Sequence, residues 1–199
     1  SDKSWIDSPA WRMIHALASM TSKDGNKILI DDWYENVKPP NKEDLELVSK
    51  LAKTFDEDTI KHESKVDRFI NDLHGKDLLL QYMFSTTLNI DGIWGGYIGP
   101  GSKTVLPHKI TAKMDARLVP NQSSKEVIKK IRKHLDKLGY TDITVKSLDP
   151  YEWAKTSAKE PIVQAVVNAY RKLGKKPEIW PMNASSVPYY LFNRGPLCL

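Results

Sequence analysis

The stretch Ile90 to Gln122, IDGIWGGYIGPGSKTVLPHKITAKMDARLVPNQ, decides how the chain is read. It opens with a glycine-rich loop and passes into strict alternation. Ile110, Ala112, Met114 and Ala116 fall on one face, with Lys109, Thr111, Lys113, Asp115 and Arg117 on the other. A period of two with one apolar face is the pattern of a half-buried antiparallel strand. Pro120 to Ser124 then caps a helix over Lys125–Leu138, Gly139 ends it as a C-terminal glycine should, and Ile143–Lys146 reads as the next strand.

Working outward, Asp7-Ser8-Pro9 is a helix start, because a capping oxygen is followed by a proline whose missing N–H costs nothing in the first turn. The helix runs to about Met20 with Trp11, Ile14, Leu17 and Ala18 as its stripe. A turn at Ser22–Asn26 leads to an extended Ile28–Ile30. Asn41–Thr54 has acids early, lysines late and Leu45, Val48, Leu51 and Ala52 on one face, which suits the helix dipole. Phe55–Lys76 reads as a polar surface excursion. Asp77–Leu88 is equally compatible with a buried helix or a strand. Tyr151–Ser157 is a connector, Glu160-Pro161 starts a helix that Gly174 stops near Leu173, and Glu178–Trp180 reads as a strand. Strands mixed with helices in this order predict an α+β two-layer sandwich of antiparallel sheet and helices.

Composition bounds the function. The 199 residues carry 30 Lys plus Arg against 25 Asp plus Glu, a formal charge of +5, with 40% hydrophobic and 28% charged residues. That is a globular composition. The single cysteine, Cys198, excludes an internal disulfide and a cysteine-based zinc site. No apolar run reaches the roughly 18 residues of a membrane span and the first residues do not read as a signal peptide, so a cytoplasmic protein with no membrane role is expected. The basic helix bears Lys125, Lys129, Lys130, Arg132, Lys133 and Lys137 opposite Val127, Ile128, Ile131, Leu135 and Leu138. A solvated face is favoured there over RNA contact, since no aromatic RNA-binding strand accompanies it.

The chemistry-bearing residues are few. His15, His62, His74, His108 and His134 have no metal-ligand spacing. His15 reads as a satisfied helix residue, and His134 and His108 as surface positions. The glycines from Gly92 to Gly101 lack a phosphate-loop pattern and read as a turn where backbones approach closely. Gly101–Thr104 is either a carboxylate-holding cluster or a plain loop, the loop being favoured. The guanidinium fork of Arg117 suits a carboxylate, and a surface strand arginine is the other reading.

Three motifs together, Asp7-Ser8-Pro9-Ala10-Trp11, Gly95-Gly96-Tyr97 with Gly99 to Pro107, and Ala116-Arg117-Leu118-Val119-Pro120-Asn121-Gln122, resemble the di-zinc metallopeptidases. That family includes carnosine dipeptidases, aminoacylases, acetylornithine deacetylase and succinyl-diaminopimelate desuccinylase, and the similarity is strongest to the carnosinase-like dipeptidases. The resemblance implies residues 1–150 as a lid and dimerisation domain and 151–199 as an incomplete segment of an α/β catalytic domain. It implies two zinc ions whose ligands lie outside these residues, as do the acidic general base and the lid histidine. It implies a homodimer through the lid, a dipeptide or N-acyl amino acid as substrate, and no nucleic acid. Arg117 matches the arginine that binds the substrate carboxylate, and Thr104 a lid residue reaching the partner subunit's active site. Ser186 matches the serine of a substrate-contacting GGSxP loop, with Ala184 and Ser185 standing at the glycines. The expected function is therefore that of a fragment of a zinc dipeptidase or carboxypeptidase-type hydrolase, inactive alone. Its apolar end at Leu199 agrees with truncation. The alternatives are a non-catalytic α+β dimerisation or interaction module and an RNA-binding domain.

Overall fold

A computed structural model describes residues 2–148, 150–185 and 187–192. Its eight main elements are α1 (Pro9–Ala18), α2 (Lys42–Leu51), α3 (Glu57–Ser64), α4 (Gly75–Phe84), β1 (Thr87–Gly95), β2 (Ile110–Arg117), α5 (Ser124–Lys137) and α6 (Pro161–Lys172). The fold is α+β. Contacts divide it into two compact units, the first of Ser1–Asn36, Thr86–Leu118 and Ser123–Pro150, the second of Val37–Ser85, Val119–Gln122 and Tyr151–Leu199.

The first unit holds a two-stranded sheet under two helices. Ser8 caps α1 by accepting from the Trp11 N–H at 3.5 Å, with Pro9 in the first turn. The buried side of α1 is Ala16 and Leu17, continued by Met20, while Trp11 and Ile14 are exposed, so the expected stripe is rotated. Apolar residues nearly encircle this helix, and periodicity alone does not fix the phase of such a pattern. β1 and β2 pair antiparallel from Thr87↔Arg117 to Gly95↔Ile110, with an irregularity between Ile90 and Gly92. The segment from Ile90 to Gly95, expected as loop, is strand. Its glycines serve the bulge and a close approach, since a Cβ on Gly95 (φ +153°) would lie 2.5 Å from the Lys109 carbonyl oxygen.

One core collects Ala16, Met20, Ile28, Ile30, Trp33, Leu88, Val127 and Leu135, with Met114, Ala116, Ile131, Ile143 and Val145 against it. The alternation expected in β2 is present, for Met114 and Ala116 face this core while Lys113 and Asp115 are exposed. Leu138, expected in the α5 stripe, is exposed, and His134, expected on the surface, is buried. Gly139 ends α5 at φ +80°. Ile143–Lys146, expected as a strand, is extended but joins no ladder, and the sheet has two strands among the described residues.

The second unit packs α2 on α4. Asn41 and Asp44 form a reciprocal capping box, the Asp44 N–H donating to Asn41 Oδ1 and the Asn41 N–H to Asp44 Oδ2, both at 2.9 Å. Val48 and Leu51 meet Leu79, Met83 and Met182 in the core. The ambiguous Asp77–Leu88 resolves as the body of α4 followed by the start of β1. Within the polar excursion α3 buries nothing. Glu178–Trp180 is not a strand, because Trp180 is held by edge contacts to Phe55 and Tyr82 at 6.4 and 6.3 Å instead of by a backbone partner.

Candidate substrate-contact residues and the family of the chain

Arg117 is the last residue of β2 and is half-buried. Its backbone is fixed from below. The buried Trp33 donates its indole N–H to Thr86 Oγ1 at 3.2 Å, and that hydroxyl donates to the Arg117 carbonyl at 2.7 Å. A side chain leaving a strand end held this way starts from a defined direction, which an orienting arginine requires. The residues after it form a tight turn in the second unit. There Gln122 donates its N–H to the Val119 carbonyl at 3.1 Å and accepts from the Val119 N–H at 3.2 Å through Oε1, with Asn121 at φ +72°.

Thr104 is exposed in the loop joining β1 to β2. Tyr97 ties that loop by donating its hydroxyl to the Pro100 carbonyl at 2.7 Å, and Gly96 and Gly101 turn at φ +72° and +83°. Arg117 and Thr104 belong to opposite ends of the hairpin, whose second strand from Ile110 to Arg117 is itself roughly 24 Å long at the rise of a β-strand. The fold does not bring them together in one chain. Ser186 lies outside the described residues.

The histidines form no shared site. His15 is exposed and stacks on Trp11 at 5.9 Å, so it is a surface helix residue. His108 is exposed as expected. His74 Nδ1 is 2.7 Å from Glu57 Oε2, and this contact, with the Gly75 N–H, holds the Glu57 carboxyl below its ordinary value. Buried His134 places Nε2 3.0 Å from Ser19 Oγ, and burial lowers its pKa. Helical spacing put His134 one position from the apolar stripe at Leu135, the one signal that marked it.

Asn89 Nδ2 donates to Asp91 and Asp115, and the interaction between the two neighbouring carboxyls, by hydrogen bond and like charge, raises the Asp91 pKa. The bulge produces this pair and no spacing rule revealed it. Among the described residues, no group of three or more His, Cys, Asp or Glu side chains is arranged to hold a metal ion. The described residues do not fit a zinc site. The basic residues of α5 are largely engaged within the unit. Lys130 donates to the Asp32 carbonyl at 2.6 Å, Lys133 pairs with Asp32 at 3.4 Å and Lys137 with Asp31 at 2.5 Å. The apolar groove along α6, lined by Val163, Val166, Tyr170, Ile179 and Trp180, offers Glu178 as its one ionisable carboxylate. No described helix is long and apolar enough to cross a membrane.

The first unit is thus two helices over an antiparallel hairpin, with an exposed glycine loop at one end and Arg117 at the other. The family profile of the M20 peptidase dimerisation domain matches residues 2–142, and the chain belongs to that family. It is 28% identical over 131 residues to the human Beta-Ala-His dipeptidase, covering 66% of this chain and 25% of the dipeptidase. It is equally 28% identical over 131 residues to the Cys-Gly metallodipeptidase DUG1 of Saccharomyces cerevisiae, covering 66% of this chain and 26% of that protein. Among solved structures, the M20 family metallo-carboxypeptidase Sso-CP2 of Sulfolobus solfataricus superposes with a TM-score of 0.84 at 27% identity, over 97% of this chain and 49% of the carboxypeptidase. The matched region thus spans about a quarter of the curated relatives and half of the solved one.

Proposed function

We propose that the chain is part of a zinc-dependent dipeptidase or carboxypeptidase-type hydrolase that cleaves amide bonds of dipeptides or N-acyl amino acids. Residues 1–150 supply the lid that closes over substrate and mediates a homodimer. Residues 151–199 return into the α/β catalytic domain, forming one compact unit with the lid's own segment 37–85. Two zinc ions are bound by ligands outside these 199 residues, and the chain alone does not hydrolyse substrate. The protein works in the cytoplasm, apart from membranes and nucleic acids.

The observation that carries this reading is the continuity of the structural likeness. The family match stops at residue 142, yet the superposition on the carboxypeptidase covers 97% of the chain, so it runs on through the segment that includes α6. Within that frame Arg117 presents its planar fork to the substrate carboxylate, orienting it by paired hydrogen bonds while bond-making occurs elsewhere. Thr104, at the far end of the hairpin, serves the partner subunit's site. Ser186 contacts substrate from the same chain.

The test is a metal and hydrolysis assay on the longest polypeptide that carries these residues, in parallel with the 199-residue chain. The reading expects bound zinc and zinc-dependent release of amino acids from dipeptides by the long form only. Hydrolysis by the 199 residues alone, or none by a zinc-loaded long form, overturns it. The second outcome leaves a non-catalytic dimerisation module, for which the match of residues 2–142 to the dimerisation domain is the observation.

A further inference from the structure

The hydrogen bonds beneath Arg117 form a relay that starts in the core. β1 and β2 pair as far as Thr87↔Arg117, so Thr86 stands one residue beyond the last rung of the ladder. Strand ends fray where nothing holds them past the last rung. Here a side chain supplies the next bond, because the Thr86 hydroxyl donates to the Arg117 carbonyl at 2.7 Å. A threonine hydroxyl has one proton and two lone pairs. With its proton committed to Arg117, it accepts the indole N–H of Trp33 at 3.2 Å.

Both members of the relay are buried. Thr86 is 7% exposed and Trp33 1%, the latter in the same core as Met20, Ile28, Ile30 and Leu88. The β-branched side chain of Thr86 has few χ1 choices. In the low dielectric of the interior, consecutive hydrogen bonds polarise and strengthen one another. The ladder holds the N-terminal side of Arg117, and the hydroxyl holds its carbonyl. Both sides of the Arg117 Cα are therefore fixed, and with them the direction in which its side chain leaves the strand.

We propose that Thr86 is a positioning residue for Arg117, with Trp33 as its anchor: the hydroxyl aims the guanidinium fork at the substrate carboxylate without itself touching substrate. This rests on the reading of Arg117 as the carboxylate-binding residue. Paired hydrogen bonds from a planar fork require direction as well as charge. A misplacement of about 1 Å in an orienting group costs up to about a hundredfold in rate. Thr86 therefore matters to the reaction while residue 117 carries a fork, and ceases to matter when it does not. A threonine that served only the stability of the hairpin would matter equally in both cases.

A double-mutant cycle in the full-length enzyme tests this. Thr86→Val keeps the shape and removes the hydroxyl, Thr86→Ser keeps the hydroxyl, and Thr86→Val is also combined with Arg117→Lys. Steady-state kcat and KM are measured on the dipeptide that the enzyme hydrolyses fastest, with circular dichroism and metal content confirming folded, loaded protein. Thr86→Val is expected to lower kcat/KM by about fivefold or more, with KM raised and kcat reduced. Thr86→Ser should stay within about twofold of the parent, and Thr86→Val in the Arg117→Lys background should cost less than about twofold. The same fold loss in both backgrounds, no loss in Thr86→Val, or a Thr86→Ser as impaired as Thr86→Val overturns the positioning role and leaves Arg117 in place. Unaltered constants in Arg117→Lys, or no hydrolysis by the zinc-loaded full-length enzyme, overturn the underlying reading and the proposal with it. If Thr86→Val does not fold, Trp33→Phe, which keeps a ring in the core and removes the N–H, takes its place in the cycle under the same criteria.

Discussion

Arg117 ends β2 with its carbonyl held through Thr86 to the buried Trp33. If it orients a substrate carboxylate, geometry matters more than charge, because a lysine keeps the charge but loses the paired hydrogen bonds. In the full-length enzyme Arg117→Lys is expected to raise KM and lower kcat, reducing kcat/KM by at least about tenfold. Steady-state kinetics with a dipeptide reads this, and unaltered constants remove Arg117 from the site. Asp44 shows a residue with two structural duties. It closes the capping box of α2 and accepts from Lys155 Nζ at 2.5 Å, with its side chain only 4% exposed. Removing one partner of a buried pair leaves the other charge uncompensated, at a cost of about 3 kcal/mol. Asp44→Ala is expected to lose about that much in urea unfolding, and Asp44→Asn, which keeps the cap, to lose less. Equal losses would assign all of the effect to the ion pair with Lys155.

At the level of elements, the hairpin depends on Gly95. Its backbone at φ +153° and the nearby Lys109 carbonyl leave no room for a side chain. Gly95→Ala is expected to destabilise the first unit by roughly 2 kcal/mol, with exchange of β1 and β2 amides quickening first near Ile110. Wild-type protection at that end would show that the loop absorbs the change. The same hairpin shows what the sequence made legible. Alternation in β2, the Ser8-Pro9 start, the Gly139 and Gly174 stops and the polarity of α2 are local signals, each with its cause within a few residues, and each is found in the structure. The bulge that admits Asp91 beside Asp115 and the strand character of Ile90–Gly95 depend on a partner strand, which local pattern does not contain. Ile143–Lys146 reads as a strand because its side chains alternate, but ladder bonds need a neighbour that these residues do not supply. The placement of Arg117 and Thr104 at opposite hairpin ends follows from register alone, whereas their roles rest on motif resemblance.

Across the whole chain, acid stability has two origins that salt and mutation separate. His134 is buried, with Ser19 Oγ at its Nε2, and because Ser19 already donates to the Ala16 carbonyl at 2.7 Å, the ring donates to the hydroxyl. Burial holds its pKa below the ordinary value, with Asp31 opposing and Lys137 assisting that shift. A depressed folded pKa means that the unfolded chain takes up the proton first. This contribution is therefore complete above the unfolded value of about 6.5 and is lost as pH falls from there through the folded value. The carboxyls of Asp142 and Asp31 are lowered by hydrogen bonds from Arg12 and Lys137, at 2.6 and 2.5 Å, so their contribution is complete above the unfolded value of about 3.9 and is lost below it. Those pairs are exposed and salt screens them, whereas the desolvation of His134 is not screened. The urea midpoint of the chain is accordingly expected to fall between about pH 7 and 5 at any ionic strength, and to fall again below about pH 4 with a drop that shrinks in high salt. His134→Gln, which retains a donor for Ser19, should flatten the first drop and leave the second. A first drop that persists in His134→Gln would assign it to another group.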